Sequence, residues 1–215
     1  MAASLPNGSL IAIGTAYGSP ITVTAISNAA TAVATANGHG LAEGDIVVVN
    51  SGWSRLNGKT VRVGTVTTNT FQLEGIDTTS TTLYPSGAGT GSVREVTTFT
   101  QIAQILETAT NGGEQQFLEF QFLEADSQTR IPTFKNAAGL TLQIADDPSL
   151  AGYQGLEEAN DDREARALRI TLANSSIILY NAYCSVNKTP SLTVNELMAV
   201  EATFSFLNEP VRYTS

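Results

Sequence analysis

The chain has 215 residues, with 20 acidic and 11 basic side chains, which give a net charge of −9 at neutral pH. Hydrophobic residues make up 42% and charged residues only 14%, which excludes a disordered acidic chain and supports a packed core. Such a chain is not expected to bind nucleic acid electrostatically, because phosphate binding requires clustered lysine and arginine. The single cysteine, Cys184, excludes an intramolecular disulfide and a multi-cysteine metal site.

Residues 1–20 are interpreted as a short arm with one strand, "SLIAIGTAYG". The N-terminus lacks the basic start and the long apolar stretch of a signal peptide. No apolar run approaches the roughly 18 residues of a membrane span. We therefore expect a soluble protein that is made in a cytosol and has no membrane partner.

Residues 21–96 are rich in threonine and glycine and show no helical period. Short apolar runs between the turn signals "NGHG", "LNGK" and "TTNT" predict a small β-barrel module of five or six strands. Gly64 shifts the alternation in "KTVRVGTV", which is typical of a β-bulge. The segment carries five acidic and four basic residues, whereas the rest of the chain carries 15 and seven. These differences predict a discontinuous core domain, residues 1–20 and 97–215, with the module inserted after its first strand.

The sequence of the second half of the chain predicts several strands, with one helix between them along the chain. "TATNGGEQQ" indicates a loop, and "RIPTFKNAAGLTLQIA" a hairpin-like pair. "FLEFQFLEA" alternates as a strand that carries Glu119 and Gln121 on one face. In the last strand, "ELMAVEATFSFLNEP", apolar residues alternate with Glu201, Thr203 and Ser205. "ALRITLA" and "SSIILYNAYCSV" predict a hairpin through Asn174.

The helix is predicted at about residues 148–165, "PSLAGYQGLEEANDDREA". Proline and serine suit its start, and Leu150, Tyr153 and Leu156 fall on one face, opposite the acids. The acids lack the spacing of a calcium loop and are interpreted as a solvated face, with Arg163 and Arg166 in reach for ion pairs.

The only histidine, His39, lies in "NGHGLAEGD". A metal site would need a second histidine or several carboxylates, and only Glu43 and Asp45 are near in sequence. We therefore interpret His39 as a packing or hydrogen-bonding residue in a turn. The glycines at this turn, Gly38, Gly40 and Gly44, are interpreted as positions that need unusual backbone angles.

No catalytic set emerges from the sequence. A serine triad would need His39, Cys184 is interpreted as a small buried side chain, and no P-loop or dinucleotide motif is present. A carboxylate pair for glycoside hydrolysis stays open, because sequence does not give the separation of two carboxylates. We expect no enzyme activity, no cofactor and no bound metal.

The order of elements in residues 140–215 resembles the major tail tube protein family of long-tailed, siphovirus-type bacteriophages. The similarity lies in "DDPSLAGYQGLEEANDDREARALRITL", "SSIILYNAYCSVNKTPSL" and the closing "VEATFSFLNEPVRY", where Asn208 stands at an expected glycine. "ATANGHGLAEGDIVVVNSGWSRLNGKTVRVGTVTTNTFQLEGIDTT" is similar to a β module of phage tail proteins, also known as the first catalytic-cysteine half-domain of ubiquitin-activating enzymes. No catalytic residue carries over, because this segment contains no cysteine.

The tail tube resemblance implies a mainly β fold: a β-sandwich or barrel core with one packed helix, plus the small inserted β-barrel module. It also implies a structural protein of the virion tail, made in the host bacterial cytoplasm, that self-assembles into stacked hexameric rings. Partners would be copies of itself and other tail proteins such as the terminator, baseplate and tape measure. DNA would pass through an acidic lumen without sequence-specific binding.

Two strand faces are the candidates for lining the lumen, one with Glu119 and Gln121 and the other with Glu201, Thr203 and Ser205. Ordinary solvent exposure of these faces is the alternative that sequence leaves open. Two alternative functions also stay open. One is another tail component, such as a terminator or a surface-binding module, and the other is a carbohydrate-active enzyme that uses Glu157 and Glu158.

Overall fold

Strands dominate the computed structural model, which describes residues 7–214. The first six residues of the predicted N-terminal arm and Ser215 lie outside the described residues. The mainly β fold with one helix is confirmed. The elements are Leu10–Tyr17 (β1), Ile21–Val23 (β2), Ala25–Ile26 (β3), Ala32–Thr35 (β4), Ile46–Ser51 (β5), Thr60–Val66 (β6), Thr70–Leu73 (β7), Gly91–Ile102 (β8), Ile105–Asn111 (β9), Gln115–Phe120 (β10), Thr129–Lys135 (β11), Gly139–Ala145 (β12), Ala151–Asp162 (α1), Arg166–Thr171 (β13), Ile177–Asn187 (β14), Ala199–Phe206 (β15) and Val211–Tyr213 (β16).

Fourteen strands form one hydrogen-bonded sheet with the order β3-β4-β7-β6-β5-β8-β1-β13-β14-β15-β12-β9. β2 adds to β8, β16 adds to β14, and the hairpin β10–β11 forms a separate two-stranded sheet. Every pair is antiparallel. The bulge predicted at Gly64 is confirmed by a register shift between Val63 and Val66.

The long strand β8 belongs to both parts of the chain. Its first residues, 91–95, pair with β5, and residues 96–102 pair with β1. The predicted boundary between residues 96 and 97 therefore falls inside a continuous strand. The division into two domains stays a prediction, but any two such units would share the continuous strand β8.

Two hydrophobic cores lie on opposite faces of β14. Ala182, Cys184 and Val186 point to one core, which β12, β15 and α1 complete. Leu179 belongs to the other core, together with Trp53 and the other buried apolar residues of 21–96. Alternate residues of a strand point to opposite faces, so α1 and the segment 21–96 pack on opposite faces of β14.

The helix is shorter than predicted and runs from Ala151 to Asp162. The Asp147 carboxylate accepts hydrogen bonds from the amide and hydroxyl of Ser149, which holds the residues before the helix in a turn. The helix ends where Arg163 adopts the left-handed region at φ +58°. The predicted apolar face is confirmed, since Tyr153 and Leu156 are buried against the sheet.

Three predictions for residues 105–145 are wrong. "TATNGGEQQ" is largely strand, because β9 continues to Asn111 in register with β12, and only residues 112–114 separate it from β10. "RIPTFKNAAGLTLQIA" is not a paired hairpin, because β11 pairs with β10 whereas β12 lies between β9 and β15. The strand predicted in "FLEFQFLEA" ends at Phe120, so Gln121 and the residues that follow form a turn. In each case pairing between distant strands overrides the local pattern.

The end of the chain follows the predicted pattern more closely. β13 and β14 form the predicted hairpin, with the turn at residues 172–176. β15 buries Val200, Ala202 and Phe204, as the alternation predicts. The short strand β16 is additional, and it pairs with the start of β14.

Candidate functional site

At the end of the sheet, the strands β14, β15, β12 and β9 present one polar side that points away from the helix. We call this side the open face. Glu201, Thr203 and Ser205 of β15 point away from the core that contains α1. Across the ladder, Gln143 pairs with Glu201 and Thr141 with Thr203. Residues at the matching positions of the two neighbouring strands complete the open face. They are Tyr183, Ser185 and Asn187 of β14, and Glu107, Ala109 and Asn111 of β9.

The open face is acidic and contains no basic side chain. The strand segments 105–111, 139–145, 183–187 and 199–206 carry two carboxylates, Glu107 and Glu201, and no lysine, arginine or histidine. The two glutamates flank Gln143 in one cross-strand row. This surface therefore offers little attraction to a polyanion.

The open face also ends at an unpaired strand edge. β9 is the last strand of the sheet, and no described strand pairs with its outer side. All but the first of its seven residues are exposed. β9 lacks proline and lysine, which commonly protect such edges, so its outer amides and carbonyls are available for pairing with another strand.

The other two lumen candidates lie away from this face. Glu119 is on β10 and accepts a hydrogen bond from Nε of Arg130 on β11 at 2.6 Å. Gln121 lies in the turn after β10 and donates a hydrogen bond to the Ala125 carbonyl at 2.7 Å. The structure thus brings Glu201, Thr203 and Ser205 together and places Glu119 and Gln121 in the separate hairpin β10–β11.

The hairpin β10–β11 exposes large apolar side chains, which the sequence reasoning did not single out. Their exposure ranges from 48% for Ile131 to full exposure for Leu123. The sequence signal was the presence of apolar residues on both faces of "FLEFQFLEA", which a strand with one buried face does not need. The exposed set is Phe117, Leu118, Phe122, Leu123, Ile131 and Phe134.

The turn around His39 is closed and internally satisfied. The Leu41 amide donates to Nδ1 of His39 at 3.1 Å, so the ring proton sits on Nε2, which donates to the Thr67 carbonyl at 2.9 Å. The buried ring also packs edge-on against Phe71, with centroids 5.0 Å apart. Both ring nitrogens are engaged, so the imidazole has no position left for a metal or a substrate.

The backbone of this turn explains its glycines and its aspartate. Gly38, Gly40 and Gly44 have φ of +58°, +68° and +93°, which side chains with a Cβ rarely adopt. Asp45 accepts a hydrogen bond from the Ala42 amide at 2.7 Å and so fixes the entry into β5. The candidate residues of this turn form a structural unit.

Other reactive groups are also engaged or buried. Burial raises the pKa of the Cys184 thiol to about 12, so a reactive thiolate is not available at neutral pH. The helix carboxylates have basic partners on other elements: Arg166 of β13 pairs with Asp162 and Glu158, and Lys188 after β14 pairs with Asp161 and Glu157. Within residues 7–214, no group of three or more histidine, cysteine or acidic side chains could hold a metal ion. In the same residues, no helix has the length and apolar character to cross a membrane.

Comparison with protein families gives one match over most of the chain. Residues 51–215 match the model of the family described as phage tail tube protein, TTP. The match begins inside the segment 21–96 and continues through all of the open face. The comparison with curated proteins gives no match.

Comparison with solved structures gives distant matches. The cap of the anti-feeding prophage is 17% identical, with a TM-score of 0.39 over 54% of this chain and 83% of that chain. A chain of the sheath–tube complex of the extracellular contractile injection system PVC is 14% identical, with a TM-score of 0.37 over 50% and 80%. A chain of the anti-feeding prophage baseplate is 9% identical, with a TM-score of 0.40 over 54% and 85%.

Proposed function

Because the chain belongs to the phage tail tube protein family, we propose that it is the tube subunit of a long-tailed, siphovirus-type phage. In this proposal six copies form a ring, rings stack into a tube, and DNA passes through the lumen during ejection. The observation that carries the proposal is the open face, which is polar, lacks basic side chains and ends at an unpaired strand edge.

Ring formation would use the edges of the sheet. β9 is unpaired on its outer side, and residues 96–102 of β8 have a described partner strand only on the side of β1. Pairing β9 of one copy with this part of β8 in the next would satisfy both edges with backbone hydrogen bonds. An edge that meets a different edge is a heterologous contact, which closes into a ring when the rotation between successive copies completes a full turn.

The open face would then line the lumen. Each copy contributes Glu107 and Glu201 from cross-strand positions, so a ring would present carboxylates and neutral polar groups to DNA. A phosphate backbone binds through lysine and arginine, which this face lacks. DNA would therefore slide without being held.

The candidate residues of the turn around His39 belong to the segment 21–96, whose role follows from their contacts. We propose that residues 21–96 act as a structural module, since His39 and its glycines are engaged in the turn itself. The similarity of this segment to the half-domain of ubiquitin-activating enzymes stays a prediction about ancestry. Synthesis in the host cytoplasm and contacts with the terminator, baseplate and tape measure belong to the same proposal.

Electron microscopy of the purified, concentrated protein tests the proposal. We expect tubes of constant width, or stacks of six-fold rings, in negative stain. Single rings that never stack would favour a terminator. A protein that stays monomeric at high concentration, also in the presence of assembled tail ends, would overturn the tube assignment.

DNA binding to the assembled tubes tests the lumen assignment. Tubes of the wild-type protein should not retain duplex DNA at about 50 mM salt, a concentration at which phosphate contacts are strong. The variant Glu201→Lys should retain it and release it as salt rises. A control with Glu164→Lys, at an exposed glutamate after the helix, makes the same charge change elsewhere, and equal retention by both variants would contradict a lumen at the open face.

A further inference from the structure

Two adjoining clefts lie where the base of the hairpin β10–β11 meets the end of β15. They share three lining residues, Lys135 of β11 and Asn208 and Glu209 after β15. The larger cleft has a volume of about 640 Å³ and the smaller one about 370 Å³. Both volumes fall in the usual range of small-molecule sites. Because the shared residues lie at the boundary, one ligand can occupy both clefts.

The larger cleft, which we call the aromatic cleft, is lined by two stacked rings. The centroids of Tyr180 on β14 and Phe206 on β15 lie 4.1 Å apart, with 19° between the ring planes. Both rings are only partly buried. A ring platform beside hydrogen-bonding side chains suits a flat heterocycle such as a nucleobase. The hydrogen-bonding side chains of this cleft are Thr110, Asn111, Asn136 and Asn208.

The smaller cleft, which we call the basic cleft, collects three of the 11 basic side chains of the chain. Arg55 and Lys59 precede β6, and Lys135 ends β11. The one carboxylate in the lining, Glu209, accepts a hydrogen bond from Lys135, which holds the pKa of the Glu209 carboxyl below its ordinary value. The positive charges of Lys59 and Arg55 lower this pKa further. Three cations and one carboxylate give the basic cleft a net charge of +2, in a chain whose net charge is −9.

Two of these cations have no carboxylate of their own. Within residues 7–214, neither Arg55 nor Lys59 forms an ion pair. Lys59 is also partly buried, and this burial lowers the pKa of its amine. A partly buried cation without a counter-ion costs free energy, which a bound anion would offset. A phosphate monoester carries a charge of about −1.5 to −2 at neutral pH, which matches the net charge of the basic cleft.

We propose that the two clefts together bind a nucleoside monophosphate. The base packs on the rings of the aromatic cleft, and the phosphate accepts hydrogen bonds from Arg55 and Lys59 in the basic cleft. Glu209, at the boundary, accepts a hydrogen bond from a ribose hydroxyl, as carboxylates do in dinucleotide-binding folds. A single carboxylate ligand would leave one positive charge of the basic cleft unmatched. All these residues belong to one subunit, so the inference does not rest on the proposed function.

Calorimetric titrations of the full chain with four probes test the site. The probes are adenosine monophosphate, ribose 5-phosphate, adenosine and inorganic phosphate, each at low salt, where screening is weak. Adenosine monophosphate should bind at least ten-fold more tightly than each of the others, because it alone fills both clefts. Its affinity should fall as salt rises. Equal affinity for ribose 5-phosphate or for adenosine, or no detectable binding of adenosine monophosphate, would overturn the inference.

A substitution in the basic cleft tests the phosphate contact. Arg55→Gln removes an exposed guanidinium and should weaken the binding of adenosine monophosphate and ribose 5-phosphate at least ten-fold, without changing the binding of adenosine. Arg163→Gln makes the same charge change at an exposed arginine after the helix and is the matched control. Equal affinity of these two variants for adenosine monophosphate would contradict a phosphate position at Arg55.

A substitution in the aromatic cleft tests the position of the base. Phe206→Leu removes the ring and keeps an apolar side chain, so it should weaken the binding of adenosine monophosphate and adenosine about ten-fold. Ribose 5-phosphate should bind as before, and this retained binding shows that the variant is folded. A folded variant with the affinity of the wild type for adenosine monophosphate would overturn the inference.

The inference and the proposed function fail separately. A protein that stays monomeric and binds adenosine monophosphate keeps the ligand site and loses the tube assignment. Tubes of a protein that binds none of the four probes keep the tube assignment and overturn the ligand site.

Discussion

The hydroxyl of Tyr213 accepts a hydrogen bond from the backbone amide of Arg62 at 2.8 Å, although the two residues are 151 positions apart. The same hydroxyl donates to the Glu74 carbonyl at 3.0 Å, and the Arg62 guanidinium lies 4.4 Å from the centroid of the tyrosine ring. The strand β16 thus connects the segment 21–96 to the start of β14. The C-terminal strand and this segment therefore stabilise each other.

Removing the Tyr213 hydroxyl should destabilise the protein. In Tyr213→Phe the Arg62 amide and the Glu74 carbonyl lose a buried partner, which costs about 1–3 kcal/mol. The free energy of unfolding from urea titrations measures the loss. Tyr183→Phe is the matched control, because that tyrosine is exposed on the open face. Equal stability of the two variants would contradict the role of the hydroxyl.

The ion pair between Arg62 and Glu74 should make the free energy of unfolding depend on pH. The hydrogen bond from Arg62, with Nε 2.6 Å from a carboxylate oxygen, holds the pKa of the Glu74 carboxyl below its ordinary value. Since the folded pKa is the lower one, this contribution is present above about pH 4.3 and is lost as pH falls through the folded pKa. The pair is partly solvated, so Glu74→Gln should cost about 0.5–1 kcal/mol at neutral pH and nothing at about pH 2. Unfolding titrations at both pH values measure the difference, and Glu164→Gln, at an exposed glutamate, should show none.

The Cys184 thiol should be unreactive in the folded protein. It is buried against α1, with Sγ 4.0 Å from the Leu156 carbonyl, and its pKa is raised to about 12. A thiol reagent at about pH 8, where an ordinary thiol with a pKa near 8.5 reacts, should label only the unfolded chain. Rapid labelling of the native protein would show that α1 separates from the sheet.

A methyl group at Gly152 should destabilise the packing of α1. A Cβ at this position would clash with the Gln101 carbonyl oxygen and lie 2.9 Å from Cα of Ile102, so the helix touches β8 with its backbone. Alanine normally favours a helix over glycine by about 1 kcal/mol, but here overpacking should cost about 1–3 kcal/mol and reverse the sign. Thermal unfolding of Gly152→Ala measures the effect. Gln154→Ala, at an exposed helix position, loses only a solvent-exposed hydrogen bond to the Pro148 carbonyl and should change stability by less than about 0.5 kcal/mol.

Substituting His39 should affect folding and not assembly. His39→Ala removes a buried ring that connects Leu41, Thr67 and Phe71, which should cost about 1–3 kcal/mol. Tube formation at low temperature should persist, because the turn lies outside the open face and the hairpin. Loss of assembly in a variant that remains folded would instead give this turn a role at an interface.

Deleting residues 21–96 is a poor test of their role. β5 pairs with the first part of β8, and Leu179 and Tyr213 are buried in the core that this segment completes. The deletion would expose these residues and would also remove the first half of β8, residues 91–96. Point variants at its surface are therefore the better probe.

Alternation and turn signals alone predicted most strands, the apolar face of the helix and the buried side of β15, because burial follows the local period of two or 3.6 residues. They failed at "TATNGGEQQ", where β9 exists because β12 pairs with it, and the helix start was moved by a turn at Asp147. The sequence also grouped Glu119 and Gln121 with Glu201, Thr203 and Ser205 as candidates for lining the lumen.

The sequence by itself determined the mainly β class, the acidity, the absence of lysine and arginine from "AVEATFSF", and the family, whose model matches residues 51–215. Only the tertiary structure decided that Glu201 shares a face with Glu107 while Glu119 pairs with Arg130 in a separate hairpin. The reason is physical: a residue's own strand sets which face it occupies, but the pairing of strands distant in sequence sets its neighbours.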